Sequence, residues 1–89
     1  MSEREQMKDY KSLIEMKHGQ MGVITNVYGG RALCQQLDAM HIIPGARIRK
    51  VSGSFMGGPV TVQIGSARLA IGYGMAARII LKVEDETPQ

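Results

Sequence analysis

Hydrophobic and polar positions change period several times along this chain, and each change marks an element. Residues 1–11 are polar, mixed in charge and have little to bury. In 12–19 the apolar pair Leu13 and Met16 stands at i, i+3 ahead of Gly19. That spacing predicts a short helical turn or an ordered arm capping a barrel. Residues 21–28 are rich in Val, Ile, Thr and Tyr and stop at Gly29-Gly30, which predicts a strand. Over 31–40, Leu33, Leu37 and Met40 recur at i, i+4 and i+7, with Gln35, Gln36 and Asp38 off the stripe. This is the one good helix, and at about ten residues it must lie against a sheet to persist. Pro44-Gly45 then predicts a turn.

Short strands follow over 46–52, 60–65 and 68–72. Val60, Val62 and Ile64 alternate with Thr61 and Gln63, the period of a half-buried strand. Arg47 and Arg49 alternate with Ala46 and Ile48, but Lys50-Val51 breaks the alternation, so a bulge or strand end is expected there. Gly65-Ser66-Ala67 predicts a tight hairpin, 75–78 one helical turn, and 79–83 a last β-branched strand. The expected fold is mainly β: five to six short strands with one inserted α-helix. A sheet this small protects its edges best by curling closed, so a small SH3-like barrel over 12–83 is expected. Residues 1–11 would form a polar arm and 84–89 a solvated acidic tail.

Composition narrows the class. With 89 residues there is room for one core, and 44% hydrophobic with 21% charged positions is globular usage. The longest uncharged stretch, 51–67, is interrupted by four glycines and a proline and falls short of the ~18 apolar residues of a membrane span. No basic-then-apolar leader opens the chain, and Cys34 is its only cysteine, so a reducing cytoplasmic setting is expected.

The net charge of +3 understates an uneven distribution. Basic and acidic groups balance over 1–19, and Glu84, Asp85 and Glu86 make the end acidic. Between them stand Arg31, Arg47, Arg49, Lys50, Arg68, Arg78 and Lys82 against Asp38 alone. A cationic body favours an acidic protein, nucleic acid or anionic lipid without choosing among them.

The residues argue against a catalyst. Neither His18 nor His41 has a serine–acid context, no phosphate loop occurs, and the acids lie mostly outside the body. A continuous helix would set Cys34, Asp38 and His41 on one line, donors that suit Fe2+ or Zn2+. The competing reading makes Cys34 a small buried hydrophobe and His41 a cover for the helix C-terminus. The basic strand Arg47-Ile48-Arg49-Lys50 with Arg68 would suit nucleic acid, yet only Tyr10, Tyr28, Tyr73 and Phe55 offer rings for stacking. An ordinary solvated strand face is therefore favoured over nucleic acid. Finally, the glycine-rich loop 52–58 carries Phe55 and Met56 at its tip. They either contact a protein partner or fold back to plug the barrel.

Taken in order, several motifs resemble the FeoA family, small cytosolic proteins of ferrous iron uptake. Leu13-x-x-Met16-x-x-Gly19-x-x-Gly22-x-Ile24 resembles its opening segment. Leu37-x-x-Met40-His41-Ile42-x-Pro44-Gly45 is similar to its helix end, Gly58-Pro59-Val60 to its strand entry, and Leu69 through Ile79 to its closing run. Two positions depart from the pattern: His41 stands where glycine is usual, and Gln36 where arginine is usual. The resemblance implies an SH3-like barrel that assists a membrane ferrous iron transporter by docking on its cytosolic GTPase domain. Arg47, Arg49, Arg68, Phe55 and Met56 are the residues expected to carry that contact. The alternatives are a transition-metal-binding or metal-responsive regulatory domain, and a nucleic-acid-binding barrel. Self-association stays open.

Overall fold

The computed structural model describes residues 9–53 and 55–84. The expectations for 1–8, Ser54 and 85–89 lie outside those residues. Six strands run β1 (Tyr10–Ser12), β2 (Met21–Val27), β3 (Arg47–Gly53), β4 (Val60–Ile64), β5 (Ala67–Ile71) and β6 (Ile79–Val83). Helix α1 (Arg31–Ala39) joins β2 to β3, and one helical turn, α2 (Tyr73–Ala76), joins β5 to β6. The strands form one antiparallel sheet in the order β1-β6-β2-β3-β4-β5.

This is the expected architecture with one addition. Residues 10–12, assigned by their polarity mostly to the arm, pair as β1 with Lys82, Leu81 and Ile80 of β6. β1 has only three residues and no apolar alternation, so its strand character comes from the pairing and not from its own pattern. It delivers Leu13, whose N–H donates to Ile79 O and whose side chain is fully buried. The sheet keeps two edges, β1 and β5, and among the described residues no ladder joins them. A shared interior draws the ends together: Val60, Val62 and Ile71 from one end pack in the same cluster as Leu13 and Leu81 from the other. Burying each such side chain contributes about 1.5–3 kcal/mol.

Helix α1 presents the expected stripe. Leu37 is fully buried, and Leu33 and Met40 are half-buried against the core. It ends at Ala39, with Met40 as the cap and His41 at φ +64°. The His41 N–H donates to Asp38 O and the Ile42 N–H to Leu37 O, which closes the last carbonyls and returns the chain to the core through Ile42. A histidine thus holds the left-handed position for which glycine is better suited.

β3 is the strand that shapes the molecule. Its first half pairs with β2 and its second half with β4, and the register slips between Lys50 and Ser52. This is the bulge expected at Lys50-Val51, and it bends the strand over the core. At the end of the bend Gly53 has φ +117°, and a Cβ there would run into the Pro59 carbonyl and Val60 Cα. Only glycine fits so close an approach.

Candidate functional site

Side chains two apart on a strand share a face, so Arg47 and Arg49 project together from β3. Register extends that face sideways. Met21, Arg49, Gln63 and Arg68 are consecutive partners across β2, β3, β4 and β5, and Tyr10, Lys82, Val23 and Arg47 form the adjacent row from β1 to β3. Arg47, Arg49, Arg68 and Lys82 are all exposed. Met21, Arg47, Arg49, Gln63 and Gly65 line a shallow depression of about 340 Å³ on this face.

Each arginine is oriented by a partner. Arg49 Nη1 donates to Gly19 O at 2.8 Å, and Arg68 Nε donates to Gln63 Oε1 at 3.2 Å. Arg47 makes a two-pronged contact: Nε donates to Glu84 Oε2 at 2.7 Å and Nη2 to Glu84 Oε1 at 2.8 Å. That hydrogen-bonded charge raises the Arg47 pKa and lowers the Glu84 carboxyl below its ordinary value. Glu84 is therefore not simply solvated tail: its N–H donates to Met21 O, which extends the β6–β2 pairing by one residue. The run of like charges around Glu84 hid this role.

Lys50 does not belong to the cationic face. It projects to the opposite side of β3 and is 1% exposed. Its Nζ donates to Ile14 O at 2.9 Å and Met16 O at 2.8 Å, so the ammonium clips the 13–17 turn to the bend. Burial pushes the Lys50 pKa down. The alternation carried that signal: Lys50 stands two residues after Ile48 and so on the buried side of β3, ahead of the bulge.

Phe55 and Met56 fall in a 3-10 turn between β3 and β4, at 82% and 88% exposure, with Met56 at φ +54°. The barrel-plug alternative is thereby excluded. The loop sits beyond the far end of β3, while Arg49 and Arg68 both pair with Gln63, near the β4–β5 turn. The five expected contact residues thus form two separate features, a cationic face and an apolar knob.

The three proposed metal donors do not form the line that their spacing predicted. Cys34 is exposed, which also overturns its reading as a buried hydrophobe, and its Sγ lies 3.9 Å from Gly29 O. Cys34 and Asp38 flank a groove of about 410 Å³ with Leu37, Ile42 and Pro44. His41 lies past the helix end, where the left-handed backbone takes it off the i, i+4, i+7 row. Among the described residues no group of three His, Cys, Asp or Glu side chains is placed to hold a metal ion. Across these two rows Tyr10, at the β1 edge, is the one ring on which a base could stack. No helix among the described residues is long and apolar enough to cross a membrane.

Comparison with known proteins places this geometry. The FeoA domain family model matches residues 11–83. A crystal structure of an iron uptake regulatory protein (FeoA) is 35% identical, with a TM-score of 0.78 over 84% of this chain and 99% of that one. A zinc complex of FeoA from Stenotrophomonas maltophilia, described as an SH3 domain protein, is 25% identical at a TM-score of 0.69, covering 83% of this chain and 95% of that one. A manganese-dependent transcriptional repressor in complex with manganese shares the fold at 18% identity and a TM-score of 0.77, over 84% of this chain but only 37% of its own. A search of curated proteins gave no match.

Proposed function

The chain belongs to the FeoA family, which is associated with ferrous iron transport, and on that premise we propose that it is a non-enzymatic adaptor docking on the cytoplasmic GTPase part of a membrane ferrous iron transporter. The observation that carries the reading is the alignment of Arg49 and Arg68 through Gln63 on an exposed sheet face. Guanidinium groups held on a rigid sheet suit an acidic protein surface, because the strands fix their spacing before contact. The exposed Phe55–Met56 knob adds an adaptable apolar contact at the other end of β3. A metal-carrying role has weaker support, since Cys34 and Asp38 offer two exposed donors and no third is grouped with them among the described residues.

The test is binding of the full chain to the soluble GTPase domain of its transporter. Arg49→Glu with Arg68→Glu should weaken binding about tenfold or more, and Phe55→Ala should weaken it separately. Melting temperature should stay nearly unchanged, because these side chains are exposed. Full affinity in a protein carrying Arg47→Glu, Arg49→Glu, Arg68→Glu and Phe55→Ala would remove this surface from consideration.

A further inference from the structure

Among the described residues the sheet ends in two edges, and β5 is the longer, five residues against three for β1. Ile64 and Ala67 close a two-residue turn over Gly65 and Ser66, with Gly65 at φ +60°. The closing pair of such a turn exchanges both hydrogen bonds, and alternation then assigns Leu69 and Ile71 to the β4 ladder. Arg68 and Ala70 therefore turn their N–H and C=O groups away from the sheet. Among the described residues no backbone group takes them up, and both residues are exposed. Their side chains share the cationic face, where Arg68 stands one strand beyond Gln63 from Arg49, its Nε on Gln63 Oε1. Leu69, between them, points to the other face and is half-buried against the core.

We infer that the β5 edge accepts an extended antiparallel segment of a partner protein, with acidic side chains opposite Arg68 and Ala70 and an apolar one beside Leu69. This deepens the adaptor reading and rests on it only for the identity of the partner. A strand added ~4.8 Å away would continue the row Met21, Arg49, Gln63, Arg68, so its residue opposite Arg68 meets a guanidinium directly. Ala70 is small and leaves room for a second carboxylate on the same face. Backbone bonds to Arg68 and Ala70 supply affinity, and the alternation of acidic with apolar side chains supplies selectivity. Charge decides the occupant. A second copy pairing β5 to β5 would bring two cationic faces edge to edge, which like charges oppose.

The experiment follows amide hydrogen exchange in the full chain with a short peptide of alternating glutamate and valine, at low salt. Saturating peptide should slow exchange at the Arg68 and Ala70 N–H groups about tenfold or more, and leave Leu69, already in the ladder, nearly unchanged. A peptide of alternating lysine and valine should protect neither. N-methylation of the peptide's glutamates, which pair with Arg68 and Ala70, should abolish protection, and N-methylation of its valines should not. In the protein, Ala70→Pro removes the outward N–H without touching the β4 ladder, and an edge strand tolerates proline there. It should abolish peptide binding with melting temperature nearly unchanged. No protection by the glutamate peptide, equal protection by the lysine peptide, or indifference to glutamate N-methylation would each overturn the inference. So would protection that grows with protein concentration alone, because a second copy would then hold the edge. Failure of the adaptor reading looks different: the GTPase domain would not bind the natural chain while the peptide result stood. A GTPase domain that bound the natural chain and Ala70→Pro equally would instead overturn the edge as its docking site and leave the adaptor reading standing.

Discussion

Arg49 and Lys50 are neighbours on β3 and meet opposite surroundings. Arg49 projects to the outer face, exposed, with one guanidinium nitrogen resting on Gly19 O. Lys50 projects inward at the bulge and is buried, with the Ile14 and Met16 carbonyls accepting hydrogen bonds from its ammonium. The same segment, 14–19, thus receives cations from two sides of one strand. The outer contact leaves charge available to a partner, and the inner one uses charge to fix the fold. Burial decides between these roles, because a buried ammonium requires partners for its N–H groups whereas water serves an exposed guanidinium.

The largest expected break in that comparison is Lys50→Ala. It strands two carbonyls and opens a void, and should cost about 3 kcal/mol or more of unfolding free energy. For a domain with about 0.05–0.15 kcal/mol per residue, that is a large share of the total. Lys50→Met restores apolar volume without donors and should fall between Lys50→Ala and the natural chain. Urea unfolding measures both. A loss from Lys50→Ala no larger than that of an exposed arginine, within about 0.5 kcal/mol, would remove the distinction between inner and outer cations. Next in size is Gly53→Ala at the end of the bend. The positive φ and the approach of Pro59 and Val60 should make it cost about 2 kcal/mol. A neutral result would mean that the bend relaxes without loss.

The smallest effect sharpens the outer side. Arg47 holds the folded Glu84 carboxyl below its ordinary value of 4.5. A lowered folded pKa means that the unfolded chain binds the extra proton first as pH falls. The pair's contribution is therefore fully present above about 4.5 and is lost as pH drops through the lowered folded value. The stability difference between the natural chain and Glu84→Gln should narrow across that interval and shrink with added salt. A pH-independent difference would mean that the ion pair adds nothing measurable.

Most of the architecture was legible because it is local. Strand alternation in 60–65, the β-branched run 79–83 and the Leu33–Leu37–Met40 stripe each need only a few neighbouring residues to define a buried side. The bulge at Lys50-Val51 was legible for the same reason, as a break in alternation. β1 was not, because a three-residue strand acquires its identity from β6. The candidate site was half legible. Arg47, Arg49 and Arg68 were found by charge, while the separation of Phe55 and Met56 from them depends on which ends of β3, β4 and β5 meet. The Cys34–Asp38–His41 line did not form because helical spacing was carried two residues past the end of α1 at Ala39.

By itself, then, the order of residues determined the element types, the inserted helix, the turn positions and the cationic character of the body. These follow from periodicity and backbone preference, which act over a few residues. Tertiary structure alone decided that Lys50 meets the Ile14 and Met16 carbonyls, that Glu84 returns to Arg47, and that Arg49 and Arg68 share a face. Each of those depends on strand register across sequence separations of many residues. A shift of one residue in that register would send every side chain of the strand to the opposite face.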